Sequence, residues 1–299
     1  MSTTVKRRRR GAGAAALLFL VPMFLMYLVY FGYGFWFLVK TSFTKVNLSF
    51  LDAVPVGWNN YRLLLDDSIF RRAIVNNLLF GAISVVVAVT VAFFIAVAIS
   101  AGLRPKKLIY TLFLVPALMP LALVSTVFGG MLQQQFGTLN QTLRAVGLGA
   151  LAQPWLSQPD LAFASVAAIF CYLIGLPIMY YTADLSALPT DSVEAALLDG
   201  AGTFRIMRSI LFPMMTATHI TVVLSLILGS FRALEQVLFS TGGGPAGSTE
   251  IVGTYLYQFS TASGSTTGFI SAAAVLVLLI AFLISLVQMV ATRRRKEKS

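Results

Sequence analysis

Charge is scarce in this chain of 299 residues. Asp, Glu, Lys and Arg make up 11% of it and hydrophobic types 58%, whereas an average soluble domain carries about a quarter charged residues. That balance excludes a soluble globular protein and reads as a polytopic membrane protein. Cysteine and histidine occur once each, as Cys171 and His219, so neither an intrachain disulfide nor a paired-histidine zinc site is available. No lysine follows a glycine, which excludes a Walker A phosphate loop. No repeat of solenoid length is visible. Acidic residues number 11 against 22 basic ones, a net charge of +11. The basic residues sit at the ends of apolar runs, so they read as topology signals and anionic-lipid contacts rather than as a nucleic-acid face.

Long apolar runs are what the sequence has in abundance. A hydrocarbon core needs about 20 apolar residues of helix. Charge-free windows, trimmed at Gln133–Gln135 and Ser260–Thr267, predict an all-α protein with six transmembrane helices, at about 14–39, 73–100, 108–132, 161–183, 210–231 and 268–291. Basic tails flank them at 1–13 and 293–299. The first window, Gly11–Val39, is charge-free over 29 residues, longer than the roughly 7 to 15 of a signal-peptide core, and is therefore read as a retained span. With both termini inside, fifteen of the Lys and Arg residues fall on inner segments and seven on outer ones, the bias expected of a cytoplasmic membrane protein with cytoplasmic termini.

The loop 189–213 between the fourth and fifth spans then faces the cytoplasm. Pro189 ends the preceding span, and Asp191 with Glu194 has the spacing of a capping box, which predicts a short helix. Gly200 and Gly202 offer the backbone freedom to stop it. Thr203 is placed to cap a second helix running through Phe204, Ile206, Met207 and Ile210. The product is a helix-turn-helix elbow with an alanine surface. Elsewhere, Pro116 and Pro120 predict a bend in the third span, and Gly242–Pro245 predicts a loop after the fifth. The first outer segment holds Trp58 and Tyr61, suited to the headgroup level.

At the elbow the chain resembles the permeases of binding-protein-dependent ABC importers. Their loop pattern, Glu-Ala-Ala, three residues, Gly, nine residues, Ile-x-Leu-Pro, is met by Glu194, Ala195, Ala196, Gly200, Ile210 and Pro213, with Phe212 in place of leucine. The resemblance continues at Gly57, Asn60, Tyr61, Asp67 and Phe70, at the two prolines of the third span, and at Gly137, Asn140, Gly147, Trp155 and Leu156. It extends to the carbohydrate-type stretch Thr241, Gly243, Gly244 and Pro245, where Leu234 and Glu235 replace Phe and Asp. It implies a type I importer permease fold, with Glu194, Ala195, Ala196, Asp199, Gly200, Ile210 and Pro213 coupling to an ATPase. It also implies a sugar or oligosaccharide as cargo. The partners it implies are a second homologous permease forming a heterodimer, two copies of a cytoplasmic ATPase that bind ATP and Mg, and an extracytoplasmic solute-binding protein. This chain itself carries no cofactor, no metal and no catalytic residue, so it is not an enzyme.

Polar groups within the spans are the candidates for the substrate path, since such groups in transporters tend to face cavities. They are Asn76, Asn77, Tyr172, His219, Arg232, Glu235 and Gln236. Competing readings are interhelical bonding for the two asparagines, packing for His219 and an interfacial ion pair between Arg232 and Glu235. An alternative function is a proton-coupled secondary carrier using His219 or Glu235 as relay, which predicts internal repeats that are not visible here.

Overall fold

The computed structural model of the protein describes residues 10–47, 53–102, 106–261 and 266–296. The terminal residues 1–9 and 297–299, and Arg104, lie outside the described residues. Inside a bilayer no water meets the backbone, so each apolar run coils to satisfy its own donors and acceptors.

In chain order, α1 (Leu18–Ser42) leads into a short antiparallel pairing of β1 (Thr44–Lys45) with β2 (Val54–Pro55), a small departure from the all-α expectation. Then come α2 (Asn59–Asp66), α3 (Ser68–Ser100), α4 (Lys107–Leu118), α5 (Leu121–Met131), α6 (Thr138–Ala145) and α7 (Pro159–Ala187). The elbow follows as α8 (Asp191–Leu198) and α9 (Thr203–Met214), then α10 (Thr216–Arg232), α11 (Glu235–Leu238), α12 (Val252–Thr261) and α13 (Thr267–Lys296). Four of these, α1, α3, α7 and α13, are long and apolar enough to cross a membrane; the pairs α4 with α5 and α9 with α10 raise the number to six if each bent pair is one span.

The chain forms two compact units. In the first, residues 1–64 and 262–276, Ala272 and Val275 pack on Tyr61, with Leu38, Val39 and Phe43 around them. Asn60 Nδ2 donates to the carbonyls of Ser42 at 2.8 Å and Thr44 at 2.9 Å, and the Tyr61 and Ser42 hydroxyls pair at 2.6 Å. Tyr61 is thus a buried fastener whose hydroxyl has its partner inside the unit, while Trp58 stays 72% exposed.

In the second unit, residues 65–261 and 277–299, α3 is the central element. Lipid is as apolar as leucine, so helices associate in a bilayer through close packing and interhelical hydrogen bonds. Ala88, Ala92 and Ala96, each four residues apart and fully buried, give α3 a small-residue stripe. Ile178 and Tyr181 of α7 and Val222 of α10 join the same core. Towards its other end, Phe80 stacks on Phe163 and Phe170 with ring centroids at 4.6 and 5.1 Å.

Two helix pairs are sharply bent. Pro116 and Pro120 lie at a 105° bend between α4 and α5, far sharper than an ordinary proline kink. The fifth span turns by 72° between α9 and α10, at Met215, a break with no counterpart among the sequence-based expectations.

Candidate functional site

The elbow is built from two local devices. Leu188, before Pro189, is extended, and α8 starts with Thr190 as its N-cap. This corrects the expected capping box: the amides of Val193 and Glu194 go to the Thr190 carbonyl and no side chain caps the helix. Asp191 and Glu194 instead place negative charge on the first turn, where the helix dipole favours it. At the other end Ala201 N–H donates to Ala196 O and Gly200 N–H to Leu197 O, the paired bonds of a Schellman ending. Gly200 takes φ +75°, which a residue with Cβ adopts only under strain. Thr203 does not cap α9 as expected; Gly202 is the N-cap and no side-chain bond is made there.

The tip carries its apolar residues outward. Leu198 is 90% exposed, and Leu197 and Phe204 are exposed beside it. Glu194, Ala195, Asp199 and Gly200 share that exposed tip, with Ala196 half-buried. Ile210 and Pro213 lie further along α9, towards the bend.

A second feature is a cleft of about 340 Å³ where α5, α7 and α10 meet, bordered by Met119 at the α4–α5 break, Leu173 at a kink in α7, Ser225, Gly229, Arg232 and Gln236. Of the seven sequence candidates it brings together two, Arg232 and Gln236. Gln236 is buried to 7% exposure and its Oε1 meets no hydrogen-bond partner, whereas buried amide oxygens are almost always paired. Glu235, next in sequence, serves the backbone instead. Its carboxylate accepts the Ala122 N–H at 3.0 Å and so satisfies the exposed N-terminus of α5 after the break. Tyr172 packs edge-on against Phe128 and is not part of the cleft wall.

Asn76 and Asn77 bond to backbone within the chain. Asn76 Nδ2 donates to the carbonyls of Ser248 (3.0 Å) and Glu250 (2.8 Å). Asn77 is fully buried, donates to the Ser230 carbonyl and accepts the Val252 N–H at 2.8 Å. The irregular segment after the glycine run needs backbone partners, and these amides supply them. Arg72 adds a bond to the Ala246 carbonyl at 2.9 Å. Beneath the turn lies Glu250, 4% exposed, its Oε2 receiving a long bond from Gln258 at 3.4 Å and its Oε1 unpartnered. Burial pushes its carboxyl above the ordinary range, opposed in part by hydrogen bonds from Thr254 and Gln258.

His219 lies outside this cleft, on α10, with both ring nitrogens engaged inside the chain. Nδ1 is 2.8 Å from the Tyr181 hydroxyl, and Nε2 is 2.9 Å from the Phe212 carbonyl.

Known proteins align with this geometry. The probable ABC transporter permease protein YurN of Bacillus subtilis (strain 168) is 30% identical over 246 residues, 81% of this chain and 84% of YurN. The probable starch degradation products transport system permease protein AmyD of Thermoanaerobacterium thermosulfurigenes is 25% identical over 281 residues, 93% and 94% of the two chains. Among solved structures, a bacterial alginate ABC transporter in complex with an alginate pentasaccharide-bound periplasmic protein matches with a TM-score of 0.78 at 20% identity, covering 96% of this chain and 95% of that one. The fold is therefore that of a type I importer permease. The family model for the binding-protein-dependent transport system inner membrane component matches residues 88–296, from the later part of the central helix through the elbow to the last helix, and the chain belongs to that family.

Proposed function

We propose that this permease carries a sugar or oligosaccharide, handed over by an extracytoplasmic binding protein, through a pathway it forms with a second homologous permease. Two copies of a cytoplasmic ATPase, which bind the ATP and Mg, drive it through the elbow. The observation that carries this reading is the elbow itself. A rigid turn, closed by a Schellman ending, holds Leu197, Leu198 and Phe204 outward on a chain with no nucleotide loop of its own. Exposed large apolar side chains on a protruding polar loop mark a protein contact. Both termini and the elbow lie on the cytoplasmic side in this reading, which rests on the fifteen-to-seven distribution of basic residues.

The cleft holding Arg232 and Gln236 supplies the chemistry for a hydroxyl-rich solute. Gln236 has an unspent acceptor, Arg232 an exposed guanidinium, and Leu173 an apolar wall for sugar C–H faces. The relay that a proton-coupled carrier needs finds little support: both ring nitrogens of His219 are engaged within the chain, and one Glu235 oxygen accepts the Ala122 amide.

Detergent-solubilised permease tests the reading by pull-down. An ATPase co-purifies with the wild type, and Leu198→Asp or Gly200→Asp lowers its recovery about tenfold or more, the scale of a central interface residue. Recovery unchanged by both substitutions would end the proposal for the elbow.

A further inference from the structure

The break in the fifth span creates a mechanical problem. A helix ending at Met214 leaves its last four carbonyls without partners in the regular ladder. Here Leu211 O keeps a ladder bond from Met215 N–H at 3.1 Å, and two more find side-chain partners across the break: Thr216 Oγ1 donates to Pro213 O at 2.6 Å, and His219 Nε2 to Phe212 O at 2.9 Å. A carbonyl only accepts, so Nε2 carries the proton; in the neutral imidazole Nδ1 is then the acceptor, and the Tyr181 hydroxyl, 2.8 Å away, donates to it. One chain of bonds thus runs from Tyr181 on α7 through His219 on α10 to Phe212 on α9. Phe93 of α3 closes the cluster, edge-on to Tyr181, Phe212 and His219 at 5.4 to 5.9 Å, while His219 lies over Phe212 at 4.1 Å.

We propose that His219 is a positioning residue for import, a latch that holds α9 at a set angle to α10 so that displacement of the elbow turns the fifth span instead of flexing the backbone at Met215. This rests on the reading that an ATPase moves the elbow. The pairing of α10 with α7 has its own tie, Thr218 Oγ1 to Asp184 Oδ2 at 2.6 Å. Removing the imidazole therefore frees α9 while leaving α10 held. A hinge whose angle is set by a few side-chain bonds has two arrangements differing by little, and an input at one end reaches the other only while those bonds persist.

The test uses the complete importer in proteoliposomes, with uptake and ATP hydrolysis measured together, and a pair of spin labels at Ser209 and Thr221 on either side of the break. His219→Phe keeps a ring of similar size and loses both bonds. The ATPase stays bound, solute imported per ATP hydrolysed falls about tenfold, the scale of two lost hydrogen bonds, and the label distance distribution broadens. Tyr181→Phe gives a smaller loss, and the double variant is no worse than His219→Phe, because the two groups act in one chain. His219→Gln, which restores a donor at the Nε2 position, recovers most of the ratio; a residue that only filled space would not show that rescue. An unchanged ratio with an unchanged distance distribution in His219→Phe overturns the latch. Should that variant not fold, an unchanged ratio in Tyr181→Phe overturns it. If the wild type binds no ATPase, the importer reading fails instead, and the label distances alone still decide whether His219 sets the angle.

Discussion

Single polar side chains in this protein divide into those that have spent their bonds and those that have not. Asn76, Asn77 and His219 look alike in sequence, each a polar group in an apolar helix, and nothing local says whether the partner is solute or backbone. The signal lies elsewhere. A Gly-Gly-Gly-Pro turn beside a buried segment needs donors and acceptors, and an amide pair at one helix end is what can provide them. Like Gln236, Glu250 keeps an open account, with a buried carboxyl and one oxygen unpartnered. Its folded-state affinity for a proton is raised above the ordinary carboxylate value. The native form therefore binds more protons than the unfolded chain between those two values, and stability falls as pH rises through that interval. Glu250→Gln should flatten this slope and melt higher than wild type at pH 8, by about 1 kcal/mol, the scale of one poorly paired buried group. At pH 4, where wild-type Glu250 is also protonated, the two should converge. Thermal unfolding in detergent at the two pH values checks it, and parallel slopes would refute the assignment.

Helices in this protein begin and end for reasons partly visible in their sequences. Six apolar runs were countable because charge cannot enter the hydrocarbon core cheaply. The bend at Pro120 was legible as well, since proline removes a donor. The 72° break at Met215 was not, because Pro213 is tolerated near a helix end and the groups that stabilise the break, Thr216 and His219, reach it only in three dimensions. The start of α3 shows the reverse. Asp67, one of the residues by which the chain resembled its family, is the N-cap: Oδ1 accepts the Ile69 and Phe70 amides at 2.7 and 3.4 Å, and Oδ2 accepts the Tyr255 hydroxyl at 2.6 Å. Burial first, and then this carboxylate, push the Tyr255 phenol well above its ordinary range. Asp67→Ala should cost about 1 to 2 kcal/mol through the lost cap and somewhat more through the orphaned phenol. Asp67→Asn should recover the cap's share, since asparagine caps as well, but not the Tyr255 bond, because an amide NH2 takes the place of the accepting Oδ2. Equal melting temperatures for the alanine and asparagine variants would show that the cap is immaterial.

At the scale of the whole molecule the remaining quantity is direction across the membrane. Neither helix packing nor the breaks distinguish the two sides; only the net charge of +11 and its placement do. Lys and Arg resist translocation, so the proposed orientation keeps inside the segments that hold fifteen of them. Within the second unit the two sides have exposed markers. Leu198 sits at the elbow tip, and Leu151, 55% exposed, in the segment between α6 and α7. Single cysteines at these positions, in a Cys171→Ser background, should react with a membrane-impermeant maleimide in opposite ways. In intact cells Leu151→Cys should label fully, while Leu198→Cys should label only after the membrane is opened. In inside-out vesicles the order should reverse. Labelling of Leu198→Cys from outside intact cells would place the elbow away from ATP, and no cytoplasmic motor would then have a handle on this chain.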